Sequence, residues 1–233
     1  MIPSVTFATS CWEKDWRLLL LDPDYLQVRQ IGNHLFPFAE RLLVINNVSD
    51  LNSVQKCAEG AIERGILSRV VVAKELPSRF ELSRSDFNEW QYYNALGPLT
   101  AIDACQSDYL LYLTGDVYLK KGVNWLPRAL RYFETHPECK VANLTWNGQR
   151  REAAQEAYRK TWNFYVARRG FSDQMFLVRR RDFQAPIYGW VDPESRHYPR
   201  GAVFEARVFS HMKRHGWERI TWRRGSYTHE NVV

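Results

Sequence analysis

Short apolar runs and stretches of helical periodicity alternate along the first half of the chain. Four runs have the length and the apolar, β-branched content of buried strands. They cover Ser4–Ser10, Arg41–Asn47, Arg69–Ala73 and Tyr109–Leu113. The sequence between them predicts helices over Trp16–His34 with an interruption or start at Pro23, from a cap at Asn52 or Ser53 to Gly65, and over Asp86–Cys105 with a break at Gly97-Pro98. This β-α-β-α-β-α-β order predicts a Rossmann-like α/β fold, with a central mostly parallel sheet flanked by helices.

The second half of the chain is patterned less regularly, and its residues 150–181 are strongly basic. Apolar spacing there predicts further helices and strands. The helices cover Asn124–His136 and Ala202–His215, the second one ending at Gly216, and the strands cover Val141–Trp146, Gln174–Val178 and Arg219–Trp222. Ile187–Asp192 is typical of a turn. Because no linker or repeat divides the chain, we predict a single domain over residues 1–233.

Polar clusters follow three of the predicted parallel strands. These clusters are Thr9-Ser10, Asn46-Asn47 and Thr114-Gly115-Asp116. Because ligands bind at the carboxyl ends of parallel strands, the clusters are expected to meet at one sheet edge and to form a mononucleotide site. The chain has neither a GxGxxG nor a GxxxxGK[ST] loop to hold phosphates. A nucleotide would therefore need a divalent cation at Asp116, or the arginine-rich segment, to offset its charge.

Composition narrows the class of protein. With 233 residues, 45% of them hydrophobic, the chain can bury a large core. Its formal charge of +6 indicates an anionic partner, although charge alone does not separate nucleic acid, a lipid surface and a nucleotide. No apolar run reaches the roughly 18 residues of a membrane span, and the first residues lack a signal-peptide pattern. We therefore expect a cytoplasmic location, either free or in peripheral contact with the inner face of the membrane through the basic surface. The four cysteines form no CxxC pair, which argues against a zinc cage or a redox pair.

The sequence DYLLYLTGD carries the first part of a resemblance to GT-A-fold glycosyltransferases, most of all to the family 2 group of nucleotide-sugar transferases. In that family the central strand ends in an Asp-x-Asp motif, and Thr114 and Asp116 stand at its two acid positions. The turn Tyr188–Asp192 (YGWVD) resembles the acceptor-side turn of the family. Asn46 and Asn47 replace the acids that follow the second strand in the family.

The end of the chain extends the resemblance. Glu205 falls at the family's Glu-Asp pair, eleven residues before Gly216, although only one acid of the pair is present. His229 lies thirteen residues after that glycine, where the family has a histidine. The resemblance therefore covers most of the chain, and it rests on the order and spacing of these motifs.

The resemblance implies a role for each matched residue. Asp116 and His229 would hold Mg or Mn against the diphosphate. Glu205 would be the catalytic base, with Asp192 as the second candidate for that role or as an acceptor ligand. The nucleotide sugar would contact Thr9, Ser10, Asn46, Asn47, Thr114, Gly115, Asp116 and Trp190. Residues of about 1–120 would form the nucleotide-binding half, and residues of about 121–233 the acceptor-binding half.

Purely structural roles remain open for the same residues. Asp116 could cap the next turn, Glu205 could interact with a helix dipole, and His229 could lie on the surface. Trp190 could belong to the core instead of a sugar platform. Asp173-Gln174, which precede a predicted strand, could be structural or could reach the site.

The expected function is transfer of a sugar from a nucleotide diphosphate-sugar, with UDP-sugars favoured, to a hydroxyl of a glycan or lipid-linked glycan. The pathway would be polysaccharide or glycolipid biosynthesis. Inversion is favoured because Glu205 matches the position of the base, and retention stays open. One alternative is a sugar-phosphate nucleotidyltransferase of related fold, but the glycine-rich start of that group is absent. The other is a non-enzymatic module that binds an anionic polymer through its arginines, with nucleic acid not favoured.

Overall fold

The computed structural model describes residues 3–22, 24–195 and 203–230. Its strands are β1 Val5–Cys11, β2 Glu40–Asn46, β3 Arg69–Ala73, β4 Tyr109–Thr114, β5 Val117–Tyr118, β6 Cys139–Trp146, β7 Arg159–Lys160, β8 Phe164–Ala167, β9 Met175–Arg179 and β10 Glu218–His229. Its α-helices are α1 Trp16–Leu21, α2 Leu51–Glu63, α3 Glu89–Ala104, α4 Leu126–Thr135, α5 Arg150–Glu156, α6 Arg180–Phe183 and α7 Phe204–His215. A π-helical turn, Tyr25–Ile31, and short 3₁₀ turns at Gly32–His34, Ser78–Phe80 and Arg84–Asp86 complete the helical segments of these ranges.

One sheet contains all these strands, in the order β3-β2-β1-β4-β9-β6-β10-β8-β7, with β5 paired to the end of β10. The four strands β1 to β4 pair in parallel, as the alternating strand and helix pattern predicts. β9 lies between β4 and β6 and is antiparallel to both. β6 and β10, which pair in parallel with each other, therefore run in the same direction as β4. The predicted α/β class, with a mostly parallel sheet flanked by helices, is confirmed.

The central strand β4 is buried on both faces. Leu111 and Leu113 pack with the side of the core that α1, α2 and α4 cover. Leu110 and Tyr112 point the other way, into the aromatic core under α3 and α7. Such continuous burial is what a parallel strand between two helical layers requires, and it fixes the direction in which the residues after Leu113 leave the sheet.

Two predictions about helices are wrong. The helix after β2 is capped by Asp50, whose side chain accepts a hydrogen bond from the Ser53 amide, and not by Asn52 or Ser53 themselves. α3 begins after its cap Asn88 and runs unbroken through Pro98. Proline removes one helical hydrogen bond, but tertiary packing outweighs that loss here, since α3 lies against β1 and β2. A Cβ atom at Gly97 would lie only 3.0 Å from Ser10 Oγ, so the glycine permits this close approach.

The last strand is much longer than the predicted Arg219–Trp222, because it continues to His229 through a bulge. The pairing register with β6 shifts between Trp222 and Ser226. The polar pair at the bulge, Arg223-Arg224, interrupts the apolar alternation that marks a strand in sequence. The extension carries His229 back to the end of β4.

The basic segment folds into α5, the hairpin β7–β8 and α6, none of which the sequence predicts. The helices of the described residues include none with the length and the hydropathy needed to cross a bilayer.

Candidate functional site

The turn after β4 presents the carboxylate of Asp116 in a fixed orientation. The Thr114 hydroxyl donates a hydrogen bond of 2.9 Å to Asp116 Oδ1. The side-chain amide of buried Gln30 lies 2.8 to 3.1 Å from the carbonyl oxygens of Thr114, Gly115 and Val117, and it donates to them. This amide satisfies the backbone of the turn from behind, so the turn is held independently of any ligand.

His229 meets Asp116 from the end of β10. Its Nε2 lies 3.0 Å from Asp116 Oδ2, and its backbone N–H donates to Asn147 Oδ1. The neighbouring amide of Glu230 donates to the Asp116 carbonyl at 3.1 Å. The hydrogen bond to Asp116 raises the pKa of His229, which favours an imidazolium paired with the carboxylate.

A cavity of about 310 Å³ opens in front of this pair, and we name it the Asp116 cavity. It combines residues that follow β1, β2 and β4 with residues of α3 and of the end of β10. Its lining comprises Ser10, Trp12, Asp15, Asn46, Asn47, Trp90, Tyr93, Asn94, Pro98, Tyr112, Thr114, Gly115, Asp116, Asp173, Gln174 and His229. The three polar clusters thus reach one sheet edge, each through at least one residue.

A second cavity, of about 400 Å³, adjoins the first and contains Glu205, so we name it the Glu205 cavity. Asp173 and Gln174, in the segment before β9, line both cavities. The Tyr227 hydroxyl lies 3.3 Å from Gln174 Oε1 on this shared wall. Glu205 itself stands in the first turn of α7 and is half-buried. Glu205 therefore lies in the chamber next to the Asp116–His229 pair.

Three residues predicted to contact the ligand lie elsewhere. Thr9 is fully buried within β1 and lines neither cavity. Asp192 is also buried, and Lys213 binds its carboxylate at 2.8 Å and lowers its pKa. Trp190 is 40% exposed, with the Arg214 guanidinium 5.4 Å from its ring centroid, and it too lies outside both cavities. Packing of the turn against α7 explains the position of Asp192, since Ser210 on that helix accepts its backbone N–H.

Sequence reasoning missed Asp15, which lies beneath the turn after β4. Its Oδ1 accepts the Trp12 amide at 2.8 Å, and a Cβ atom at Gly115 would lie 2.4 Å from its Oδ2. Burial, with the nearby negative charge of Asp116, raises the pKa of Asp15 to about 8. Burial raises the pKa of Asp173 as well. Asp15 lies in a short charged stretch that looks solvent-exposed in sequence, so only the tertiary contact with Gly115 reveals its position.

The structure predicts a distinctive pH dependence for Asp15→Asn. The amide keeps the hydrogen bond to Trp12 but cannot ionise. Wild-type Asp15 has a folded pKa of about 8, above its unfolded value of about 4, so wild-type stability falls as pH rises between those values. The amide in the variant cannot ionise, so the variant does not lose this stability. The difference in unfolding free energy, variant minus wild type, should therefore increase by on the order of 3 kcal/mol from about pH 5 to about pH 9. Urea denaturation at both pH values measures this, with exposed Asp24→Asn as the control. Parallel pH curves for wild type and Asp15→Asn would contradict the assignment.

The Asp116–His229 pair fits a divalent cation. Two ligand atoms about 2.1 Å from an octahedral cation and at right angles to each other are about 3.0 Å apart. Asp116 Oδ2 and His229 Nε2 have this separation. Among the described residues, no three His, Cys, Asp or Glu side chains are grouped closely enough to hold a metal ion. A cation here would therefore take its other ligands from phosphate oxygens or water.

No protein-family model and no curated protein sequence matches this chain. Solved structures do match it. A mannosyltransferase from Pyrobaculum calidifontis, in complex with GDP-Man and Mn²⁺, is 14% identical with a TM-score of 0.57, over 98% of this chain and 57% of that one. GalNAc-T7 with UDP, GalNAc and Mn²⁺ is 12% identical with a TM-score of 0.58, over 98% of this chain and 44% of that one. The chain thus spans about half the length of these proteins, and it has the GT-A fold.

Proposed function

We propose that this GT-A fold transfers a sugar from a nucleotide diphosphate-sugar to an acceptor hydroxyl. The observation that carries the proposal is the Asp116–His229 pair at the end of the central strand, in a cavity that shares a wall with a second cavity containing Glu205. A transferase needs such adjoining sites for donor and acceptor, whereas a simple binding module needs one. The mannosyltransferase and GalNAc-T7 that share the fold are described with GDP-Man or UDP, and with Mn²⁺, which supports a nucleotide-sugar donor here.

The Asp116 cavity would receive the donor. Trp12 and Trp90 meet edge to face, with ring centroids 5.8 Å apart, and they offer an aromatic wall for the base or ribose. Without a bound cation, the imidazolium of His229 would offset the charge of the diphosphate. With a cation bound, His229 would be neutral and the cation would supply the positive charge instead. Asp15, held neutral by its raised pKa, adds no opposing charge near neutral pH.

Asn46 gives a reason to favour a uridine or guanosine donor over a cytidine donor. Its Nδ2 donates to the Tyr93 carbonyl at 2.7 Å, which fixes the orientation of the amide. Its buried Oδ1 then has no hydrogen-bond partner among the described residues. This oxygen could accept the imide N–H of uracil or the corresponding N–H of guanine. Cytosine has no ring N–H in that position, so a CDP donor is disfavoured.

A divalent cation would be held by Asp116 and by neutral His229. When bound, it would stabilise the negative charge that develops on the leaving diphosphate. Thr114 keeps the Asp116 carboxylate oriented for this role through its hydrogen bond to Oδ1. Gln30 holds the turn so that the carboxylate need not reorganise.

The Glu205 cavity would receive the acceptor. Glu205 would take the proton from the acceptor hydroxyl as it attacks, which is the arrangement of an inverting transferase. Asn143, Thr145, Ser172 and Thr221 add hydroxyl and amide groups of the kind that bind sugar hydroxyls. We therefore take the acceptor to be a glycan or lipid-linked glycan in polysaccharide or glycolipid assembly. Residues of about 1–120 would serve the donor and those of about 121–233 the acceptor.

Thermal unfolding in the presence of nucleotides tests this function. UDP or GDP with Mn²⁺ should raise the melting temperature by several degrees near saturation, because a ligand at about 100 times its Kd stabilises the folded state by about 2.7 kcal/mol. CDP should raise it less, and omission of Mn²⁺ should reduce every shift. Release of UDP or GDP from the corresponding nucleotide sugar is then the activity assay. An absence of any shift and of any release across UDP-, GDP- and dTDP-sugars would exclude the proposal.

A further inference from the structure

The far edge of the sheet carries a basic and aromatic surface that the transfer reaction does not use. We name it the hairpin edge, and it comprises Lys160, Trp162, Tyr165, Arg223 and Arg224. Trp162, at the tip of the β7–β8 hairpin, is 77% exposed, more than any other large hydrophobic side chain of the described residues. Isolated exposed aromatics are common, but this one stands among cations.

Cations lie near both aromatic rings of the hairpin edge, the exposed Trp162 and the half-buried Tyr165. The Arg224 guanidinium is 5.1 Å from the Trp162 ring centroid. Arg223 and Lys160 lie 5.2 and 6.0 Å from the Tyr165 ring centroid. Each charged group is thus held close to an aromatic ring of this edge.

The backbone holds this surface in place. Arg223 donates from its guanidinium to the Thr161 carbonyl at 2.6 Å, and its backbone N–H donates to the Asn163 carbonyl at 3.0 Å. These bonds tie the bulge of β10 to the tip of the hairpin on either side of Trp162. The turn that carries Trp162 is therefore fixed by hydrogen bonds to β10.

The hairpin edge lies on the same sheet face as the Glu205 cavity. Tyr165 is paired directly opposite Thr221 in the β8–β10 ladder, and paired residues project from the same face. Thr221 lines the Glu205 cavity. Tyr165 therefore projects from the sheet face on which Thr221 lines that cavity, one strand closer to the edge of the sheet.

We propose that the hairpin edge docks onto an anionic membrane surface. Tryptophan and tyrosine prefer the headgroup region of a bilayer, and lysine and arginine nearby bind its lipid phosphates. A flat anionic surface matches both the charge of this edge and the protrusion of Trp162. Docking in this way would place the Glu205 cavity beside the membrane, and it does not depend on the transfer reaction.

A soluble polyanion fits the edge less well. A strand of nucleic acid or acidic polymer that ran from the hairpin edge along this face would meet acidic side chains around the cavity, among them Glu152, Glu156 and Glu205. Glu156 forms an ion pair with Arg219 at 2.5 Å, and Glu152 and Glu205 add acidic groups on the same lining. A membrane surface would contact only the tip of the hairpin edge, so it would not be repelled by the acidic side chains of the Glu205 cavity.

Co-sedimentation of the full chain with lipid vesicles tests the proposal, with no nucleotide sugar present. The chain should bind phosphatidylcholine vesicles containing one-third phosphatidylglycerol and should bind pure phosphatidylcholine much less. The double variant Lys160→Gln and Arg224→Gln should lower the partition coefficient by roughly 10- to 30-fold, because each basic residue near an anionic surface contributes about fivefold. Trp162→Ala should lower it further by removing the interfacial anchor.

Matched controls separate this surface from general basicity. Lys56→Gln with Arg64→Gln removes two exposed cations at α2, which packs at the opposite end of the sheet against β2 and β3, and should leave vesicle binding unchanged. Trp190→Ala removes another exposed tryptophan with an arginine on its ring, and should also leave it unchanged. Equal losses in control and test variants, or no binding to anionic vesicles, overturn the proposal. So does single-stranded oligonucleotide that displaces the chain from vesicles, since the edge would then be a polyanion site.

Discussion

Replacing Asp116 with asparagine is expected to lower kcat/KM for sugar transfer by roughly 10³-fold, the size of effect seen when a preorganised charge-stabilising group is lost. Asparagine has nearly the same shape and can still accept the Thr114 hydrogen bond, so the turn should stay folded. It cannot form the ion pair with His229, and it is a poor cation ligand. Steady-state assays of UDP or GDP release, with Mn²⁺ titrated for each protein, measure the loss. Chelation of the metal from the wild type should give a loss of similar size.

Asp103→Asn is the matched control for this result. Asp103 also forms an ion pair, with Arg79 at 2.6 Å, but it lines neither cavity. The control should keep wild-type turnover, and thermal unfolding should show both variants folded. The prediction would be contradicted if Asp116→Asn turned over within a few-fold of wild type with an unchanged Mn²⁺ requirement. Asp116 would then not belong to the donor site, and the proposed function would lose its main supporting observation.

The parallel half of the fold could be predicted because its strands are short apolar runs separated by helical patterns. β2, β3 and β4 are continuous apolar runs that stop at polar residues, and the predicted order of elements is the observed one. The sequence also predicts strands at β6, β9 and the start of β10, but not how these strands pair. Nothing local indicates that β9 inserts antiparallel between β4 and β6. β7 consists of two basic residues and β8 of only four residues, so both are too short to show the alternation that marks a strand.

The residues of the candidate site likewise differ in whether the sequence pattern could locate them. Asp116, Asn46 and Asn47 directly follow parallel strands, and strand order alone places them at one edge. His229 depends on a bulged strand, and its match in spacing to a known family located it where local pattern could not. Asp15 and the wall formed by Asp173 and Gln174 depend on contacts between distant segments. Asp192 lies outside both cavities, with Lys213 bound to its carboxylate, so the resemblance of its turn to an acceptor site does not by itself place it beside Glu205.

The electrostatics of the Asp116 cavity explain how acidic residues can surround a site for an anion. Asp116, Asp15 and Asp173 all line it, and three full negative charges would repel a diphosphate. Burial raises the pKa of Asp15 and of Asp173, and His229 places a positive charge against Asp116. The cavity is therefore less negative than its composition suggests, and in this state it can admit phosphate oxygens. A bound cation would displace the proton of His229 and supply the positive charge in its place.

Replacing Glu205 with glutamine is the second large expected effect. If Glu205 removes the proton from the acceptor hydroxyl, the amide should lower kcat for transfer by about 10² to 10⁴-fold, the usual contribution of a general base. Because Glu205 lies in the second cavity, outside the lining of the Asp116 cavity, UDP or GDP with Mn²⁺ should give the same thermal shift as in the wild type. A transfer assay with a glycan acceptor, run beside these thermal shifts, separates chemistry from donor binding. Glu194→Gln, which changes an exposed acid paired with Lys213, is the control and should be silent.

If Glu205→Gln retains transfer activity, Asp173 is the next candidate for the base. It is the carboxylate common to both cavities, and burial raises its pKa, so that its ionised form is a stronger base than an ordinary aspartate. Retained transfer in Glu205→Gln, together with its loss in Asp173→Asn, would assign the base to the shared wall and would leave the donor site as described. Retained transfer in both variants would mean that neither carboxylate abstracts the proton. A retaining reaction, in which the leaving diphosphate itself takes the acceptor proton, would then be the better account of the two adjoining cavities.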